Sequence, residues 1–334
     1  GSNKSHHRVQ LQEKGKLLPT AMAKTLLTFV CLIAGVSFAL AQEKWSYYQN
    51  PSNGPDNWEG VCATGRKQSP IDIKTNTAMY DSNLGGFTLV NYNTIPAGVN
   101  FTATNNGKGL TISFDSNVYN VSRGNLPGTF TTVQFHLHWG SSNDKGSEHT
   151  VDGMMYPAEI HFVSYNTKYP DITESLSHSD GLAVLGVFIE VGASENQYYK
   201  KFLDQISHVM YKGNSTTFSA FNLMDLLPTD MTKYFRYQGS LTTPTCNEAV
   251  TWTVFNDTVK ISRAQLDALR SMKYNHTANI VNNYRPVQPL HGRQVKASYS
   301  IPTAAPPITT DGVALKISNV VLLLMLLLRA AFFH

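Results

Sequence analysis

Val133-Gln134-Phe135-His136-Leu137-His138-Trp139-Gly140 is the stretch on which the reading of this chain turns. It alternates with period two, as a strand with one apolar face does. Val133, Phe135 and Leu137 fall on one side and the polar residues on the other. His136 and His138 therefore share a face, roughly 7 Å apart along the backbone, and both rings can reach one ion. Glu159-Ile160-His161-Phe162-Val163 supplies a third histidine on a second strand-like segment, and an antiparallel partner is the natural geometry. Three imidazoles suit zinc, which in catalytic sites takes three protein ligands and leaves a fourth position for water. Copper or nickel would accept the same donors, and cupin-like folds also use His-x-His, so spacing alone leaves the site open. Gln134 shares the face of His136, and Glu159 shares that of His161. A metal-bound histidine commonly donates its other N–H to such a group.

Outward from this core the pattern stays strand-like. Leu110-Thr111-Ile112-Ser113-Phe114 alternates, and Val250 to Phe255 reads as another strand. Leu182 to Ile189 is a continuous apolar run, as expected for a strand covered on both faces. Gly and Asn clusters such as Asn105-Asn106-Gly107 punctuate the segments. Only two convincing helices are predicted, Gln197 to Met210 and Ser262 to Met272, the second with Ser262 as its cap. The fold class is mainly β: a single domain over 45–299 with a large, mostly antiparallel twisted sheet and a few peripheral helices.

The chain has 334 residues, 42% apolar and 15% charged, with a formal charge of +4 and no long basic run. That excludes nucleic acid as an expected partner. The ends read as processing segments. Residues 1–21 precede Met22 and are left out of fold reasoning. Residues 22–41, with Lys24, an apolar run and Ala39-Leu40-Ala41, have the pattern of a secretory signal peptide. Residues 300–316 form a small, Pro-rich linker, and 317–334 an apolar tail. Lys316 and Arg329 bracket an almost wholly apolar stretch of about a dozen residues, Ile317 to Leu328, where a spanning helix needs about 20. The order of small residues, polar spacer and apolar tail fits a glycolipid (GPI) anchor signal, with a tilted membrane span as the alternative. An extracellular location, tied to the plasma membrane through a lipid, is the expectation. Cys31 would leave with the signal peptide, and Cys62 with Cys246 then makes one disulfide in an oxidising compartment. Closing so long a loop stabilises by roughly 4–5 kcal/mol as an upper figure. N-x-[ST] acceptors for glycans stand at Asn100, Asn120, Asn214, Asn256 and Asn275.

Gln134 to Gly140, Gly146-Ser147-Glu148-His149-Thr150-Val151, Ala158-Glu159-Ile160-His161, Leu241-Thr242-Thr243-Pro244 and Gln68-Ser69-Pro70-Ile71-Asp72-Ile73 together resemble the alpha-class carbonic anhydrases. The resemblance runs from about Trp45 to Tyr299, and Cys62 and Cys246 fall where secreted and membrane-bound members carry a disulfide. It implies a zinc enzyme that converts carbon dioxide reversibly to bicarbonate and a proton, and that sulfonamides and anions inhibit. His136, His138 and His161 match the zinc ligands, with Gln134 and Glu159 as the outer partners of His136 and His161. Thr242 matches the threonine that accepts a hydrogen bond from hydroxide at the metal, and Glu148 the glutamate that takes the threonine's own proton. A hydroxyl has one donor, so committing it to a carboxylate leaves Thr242 only able to accept. Thr243 matches a residue near bicarbonate. Val163, Val184, Leu241 and Trp252 match the apolar wall for carbon dioxide. His149 matches a buried structural histidine, and Tyr47 a hydroxyl in the active-site water network. Lys108 stands where fast members carry a proton-shuttling histidine. Histidine titrates near 6.5 and lysine near 10.4, so a lysine there is expected to be a weak shuttle.

Overall fold

The alternation along Phe130–Trp139 builds a strand near the middle of the sheet, with the sheet's other described strands on either side of it. The computed structural model describes residues 45–48, 52–115 and 117–301. The expected signal peptide, the anchor signal and most of the linker lie outside the described residues.

In chain order the strands are β1 (Asp72–Ile73), β2 (Met79–Tyr80), β3 (Phe87–Val90), β4 (Asn100–Asn105), β5 (Leu110–Ser113), β6 (Tyr119–Arg123), β7 (Phe130–Trp139), β8 (Thr150–Val151), β9 (Ala158–Asn166), β10 (Leu182–Gly192), β11 (Ser215–Ser219), β12 (Tyr234–Gly239), β13 (Val250–Phe255), β14 (Val259–Ser262) and β15 (Lys296–Ala297). Thirteen of them form one sheet, along the path β11-β4-β5-β7-β9-β10-β13-β12-β15-β2, with β14 beside β10 and the β3–β6 pair beside β7. Most neighbours are antiparallel. The exceptions in this sheet are β10 with β13, β10 with β14, and β15 with β2. The α-helices among the described residues are short: α1 (Val61–Thr64), α2 (Ile172–Ser175), α3 (Gln197–Leu203) and α4 (Arg263–Ser271).

The sheet carries an apolar cluster on each face. On β10, Leu185, Val187 and Ile189 join one cluster, while Leu182, Val184 and Phe188 join the other. A strand with both faces covered has to be apolar throughout, which is why Leu182 to Ile189 shows no alternation. On β9, Ile160 and Phe162 face the first cluster, and Val163 and Tyr165 the second. Glu159 and His161 therefore point to the second face, the side on which the polar chemistry collects.

Two sequence expectations need correction. Val133 does not share a face with Phe135 and Leu137. The β7–β9 register shifts between Thr132 and Gln134, and Val133 packs with the second cluster while Phe135 and Leu137 belong to the first. An extra residue in one strand reverses the alternation beyond it. The expected helix from Gln197 to Met210 ends at Leu203 and continues as a 3₁₀ turn over Asp204–Ser207. The tighter turn carries Ile206 and Val209 into the first cluster. The second expected helix is close to its prediction. Ser262 caps α4 in a capping box: its hydroxyl accepts from Gln265 N at 3.2 Å, and its own N–H donates to Gln265 Oε1 at 3.0 Å.

Candidate metal centre and active-site cleft

The antiparallel register of β7 and β9 sets His136 directly opposite His161, and His138 opposite Glu159. One ring nitrogen of each histidine lies within 4.8 Å of those of the other two. The remaining nitrogens are all engaged. His136 Nδ1–H donates to Gln134 Oε1 at 2.9 Å, His138 Nδ1–H to the Asn283 carbonyl at 2.8 Å, and His161 Nε2–H to Glu159 Oε1 at 2.7 Å. These bonds fix the tautomers. What is left is a bare lone pair on Nε2 of His136, Nε2 of His138 and Nδ1 of His161. His138 Nε2 is buried without a hydrogen-bond partner, the state expected of an atom shaped to bind a cation. Burial, the largest effect, lowers the pKa of all three imidazoles, His138 to about 4. Neutral imidazole is the form that ligates a metal.

Glu159 does more than the sequence showed. Its Oε1 also accepts from His149 Nδ1–H at 2.7 Å, and its Oε2 accepts the backbone N–H groups of Glu148 and His149, both at 2.9 Å. Burial opposes its charge, yet His149 and His161 with their hydrogen bonds hold the carboxyl well below the usual range. One carboxylate thus orients a candidate ligand and places the loop that carries Glu148. That loop needs glycine: a Cβ on Gly140 would meet Lys145 O at 1.9 Å, and one on Gly146 would meet Pro157 O at 1.9 Å. His149, Glu159 and His161 also lie close enough together to hold an ion. Their facing atoms are already joined by hydrogen bonds, and His149 Nε2 pairs with the Tyr237 hydroxyl at 2.7 Å, so this trio is a hydrogen-bonded brace.

Glu148 enters the centre from the other side. Its Oε2 lies 3.4 Å from His138 Nε2 and has no hydrogen-bond partner, while Oε1 accepts the Arg285 backbone N–H at 2.8 Å. Burial pushes its pKa up to about 7, against the lowering effects of His161, the neighbouring Thr242 hydroxyl and the Arg285 N–H. Positive charge at the three nitrogens would lower it further. The loop bearing Leu241, Thr242 and Thr243 is held at both ends. Ser69 N–H donates to Ser240 Oγ at 2.9 Å and Ser240 N–H donates to Ser69 Oγ at 3.0 Å, while Cys246 is bonded to Cys62.

Val163, Val184 and Trp252 are neighbours across β9, β10 and β13, and Leu241 packs against the same cluster. The open cleft beside the histidines is lined differently, by Trp45, Tyr47, Asn106, Lys108, Thr111 and Gln134 among others, with Thr243, His136 and His138. Val163, Val184, Trp252 and His161 are buried and lie outside that lining, as does the half-buried Leu241. Burial raises the Tyr47 phenol well above its ordinary pKa, with the Glu148 charge adding to it, so it stays protonated. The Lys108 ammonium donates to the Trp45 carbonyl at 2.8 Å and stands 4.8 Å over the Trp45 ring.

Residues 53–299 match the family described as eukaryotic-type carbonic anhydrase. The chain belongs to this family. Carbonic anhydrase 1 of Mus musculus is 40% identical over 269 residues, covering 78% of this chain and 100% of that protein. Carbonic anhydrase 3 of Homo sapiens is 39% identical over 266 residues (77% and 99%), and carbonic anhydrase 12 of Homo sapiens is 40% identical over 267 residues (77% and 73%). The chain is thus a carbonic anhydrase, an enzyme that interconverts carbon dioxide and bicarbonate.

Asn283 and Arg285 are the contributors that sequence reasoning missed. Both reach the centre through the backbone, Asn283 by its carbonyl on His138 and Arg285 by its N–H on Glu148. The side chains hold those backbones in place. Asn283 Oδ1 accepts Trp139 N–H at 2.7 Å, and the Arg285 guanidinium donates to Gln68 Oε1, the Ser69 carbonyl and the Cys62 carbonyl. The one available signal was an arginine and an asparagine in a segment, Asn282 to Pro286, with no strand or helix pattern to explain them.

Proposed function

We propose that this carbonic anhydrase works with zinc held by His136, His138 and His161, outside the cell. The observation that carries the reading is the set of three convergent lone pairs, each left bare because the partner nitrogen is tied by Gln134, Asn283 or Glu159. Zinc bound there supplies hydroxide at neutral pH. The chain's residues do the rest. Thr242, with its proton directed at Glu148, can only accept from the nucleophile and so turns a lone pair toward the substrate. Val163, Val184, Leu241 and Trp252 offer carbon dioxide an apolar resting place, and Thr243 lies beside the departing bicarbonate. Tyr47 belongs to the water network of the cleft. Sulfonamides and small anions compete at the same open position.

The hydration releases a proton that must leave before the next turnover. Lys108 occupies the shuttle position and is a weak proton carrier, so turnover in dilute buffer is limited by proton export. The disulfide and the sequons support an exported protein, and the C-terminal pattern supports a lipid anchor, so the enzyme faces the exterior of the plasma membrane. Stopped-flow hydration of carbon dioxide, with zinc measured on the same sample and a sulfonamide added, tests the core of this reading. Activity that tracks zinc and is abolished by the sulfonamide is expected; zinc-loaded protein without activity would sink it. Release of the protein from intact cells by a phosphatidylinositol-specific phospholipase tests the anchor.

A further inference from the structure

We propose that Lys108 is a positioning residue: it clamps the segment Trp45–Tyr48 in place as a wall of the active-site cleft. The segment belongs to no strand or helix. Its backbone is tied by Ser46 N–H to the Asn53 carbonyl at 2.9 Å, and the Tyr48 hydroxyl donates to the Asn279 carbonyl at 3.2 Å. Lys108 adds a bond at its leading end, from Nζ to the Trp45 carbonyl, and sets its charge over the Trp45 ring, with the Tyr274 ring 5.6 Å away on the loop after α4. A cation held over ring faces is attracted by their quadrupoles, so one ammonium fastens the carbonyl and the indole of the same residue.

The clamp is mounted on the metal centre's own support. Asn283 Nδ2 donates to the Lys108 carbonyl at 2.9 Å, and the Asn283 carbonyl accepts His138 Nδ1–H. Lys108 N–H donates to Asn106 Oδ1 at 2.8 Å, which fixes the turn between β4 and β5. On the far side, Trp45 meets Tyr47 and Trp58 edge to face at 5.2 and 5.3 Å, and Tyr47 meets His138 the same way at 6.4 Å. Asn283, Lys108, Trp45, Tyr47 and His138 thus form a closed circuit of contacts around the mouth of the cleft. A lysine built into such a circuit holds a wall, and one of its three N–H donors is committed to the Trp45 carbonyl.

The kinetic part of the test rests on the proposed activity, while the structural part does not. The zinc-loaded protein is compared with Lys108→Met, which keeps the apolar stem, and Lys108→Arg, which keeps charge and donor. Hydrogen exchange reads the Ser46 amide, and stopped-flow hydration reads KM and the dependence of kcat on buffer concentration. In Lys108→Met the Ser46 amide is expected to exchange about threefold faster or more, because a local opening becomes easier. KM is expected to rise by a similar factor, about threefold, while the buffer dependence of kcat keeps the slope of the unaltered protein. Lys108→Arg should restore both. Ser46 exchange and KM that do not move in Lys108→Met overturn the clamp. So does a fall in kcat confined to dilute buffer with exchange unaltered, which would make Lys108 the relay. Absence of hydration in the unaltered zinc-loaded protein would defeat the enzymatic reading and leave the exchange result standing as the measure of the clamp.

Discussion

The strands β7 and β9 and the loops around them contribute different things to one centre. The strands carry the three histidines and their nearest side-chain partners within a few residues: Gln134 beside His136, Glu159 beside His161. The loops bring Glu148, Thr242, Asn283 and Arg285 from segments far apart in the chain. A pleated pair of strands fixes spacing and direction by its own geometry, so it is suited to ligands, whose distances to a metal tolerate little error. Loops have no such ruler and are held by hydrogen bonds to one another, by the Cys62–Cys246 bond and by Glu159. On the proposed zinc reading this is a division of labour: strand residues would hold the metal, and loop residues would set its reactivity.

Substitutions can break that division or sharpen it. His136→Ala, on the strand, should lose both zinc and hydration, with metal affinity falling by more than the ~10–100-fold typical of an outer partner. Metal analysis beside stopped-flow rates checks this, and retained zinc would break the comparison. Thr242→Ala, on a loop, should keep zinc and lower kcat/KM by about 10²–10³, as for removal of one oriented hydrogen-bonding group at a reacting centre. Zinc loss in that variant would mean the loop also holds the metal. Glu159→Gln straddles both regions. It should weaken zinc about 10–100-fold, and it should also lower thermal stability by about 1–3 kcal/mol because the buried N–H groups of Glu148 and His149 lose a charged acceptor. Calorimetry and zinc titration separate the two losses.

Lys108→His is a milder change. It should raise kcat in dilute buffer about tenfold, since a group titrating near neutrality is the better carrier, while KM rises with the loosened wall. The gain should vanish in concentrated buffer; an unchanged kcat in dilute buffer would refute proton export as the limiting step. The smallest effect belongs far from both regions. The Lys296 ammonium, 2.7 Å away, and the Asn83 amides hold the Asp81 carboxyl down to about 2. A depressed carboxylate stabilises the fold above its unfolded pKa, near 3.9. That contribution is lost as pH falls through about 2. Asp81→Asn should therefore unfold more easily than the unaltered protein at neutral pH, and the two should converge between about pH 4 and pH 2, with hydration unaffected.

Much of the scaffold was legible because side-chain pattern and backbone geometry have the same period. The alternation of β7 and the unbroken apolar run of β10 give strand, face and burial directly, and they place His136, His138 and His161 on one side of the sheet. Ser262 declared its helix because capping is local. Val133 was misplaced because a bulge changes parity without changing composition.

The amino-acid sequence by itself determined which side chains could do the chemistry: three imidazoles, two carboxylates, one hydroxyl and an apolar quartet, in the order in which the chain presents them. The tertiary structure alone decided what makes them act together. The Asn283 carbonyl, the Arg285 N–H and the second duty of Glu159 work through peptide groups that nearly every residue possesses, so they leave no mark in the sequence. Lys108 shows the same limit from the other direction. The family resemblance marked its position, but only folding brought the Trp45 carbonyl and ring to its ammonium, the contacts of the proposed clamp.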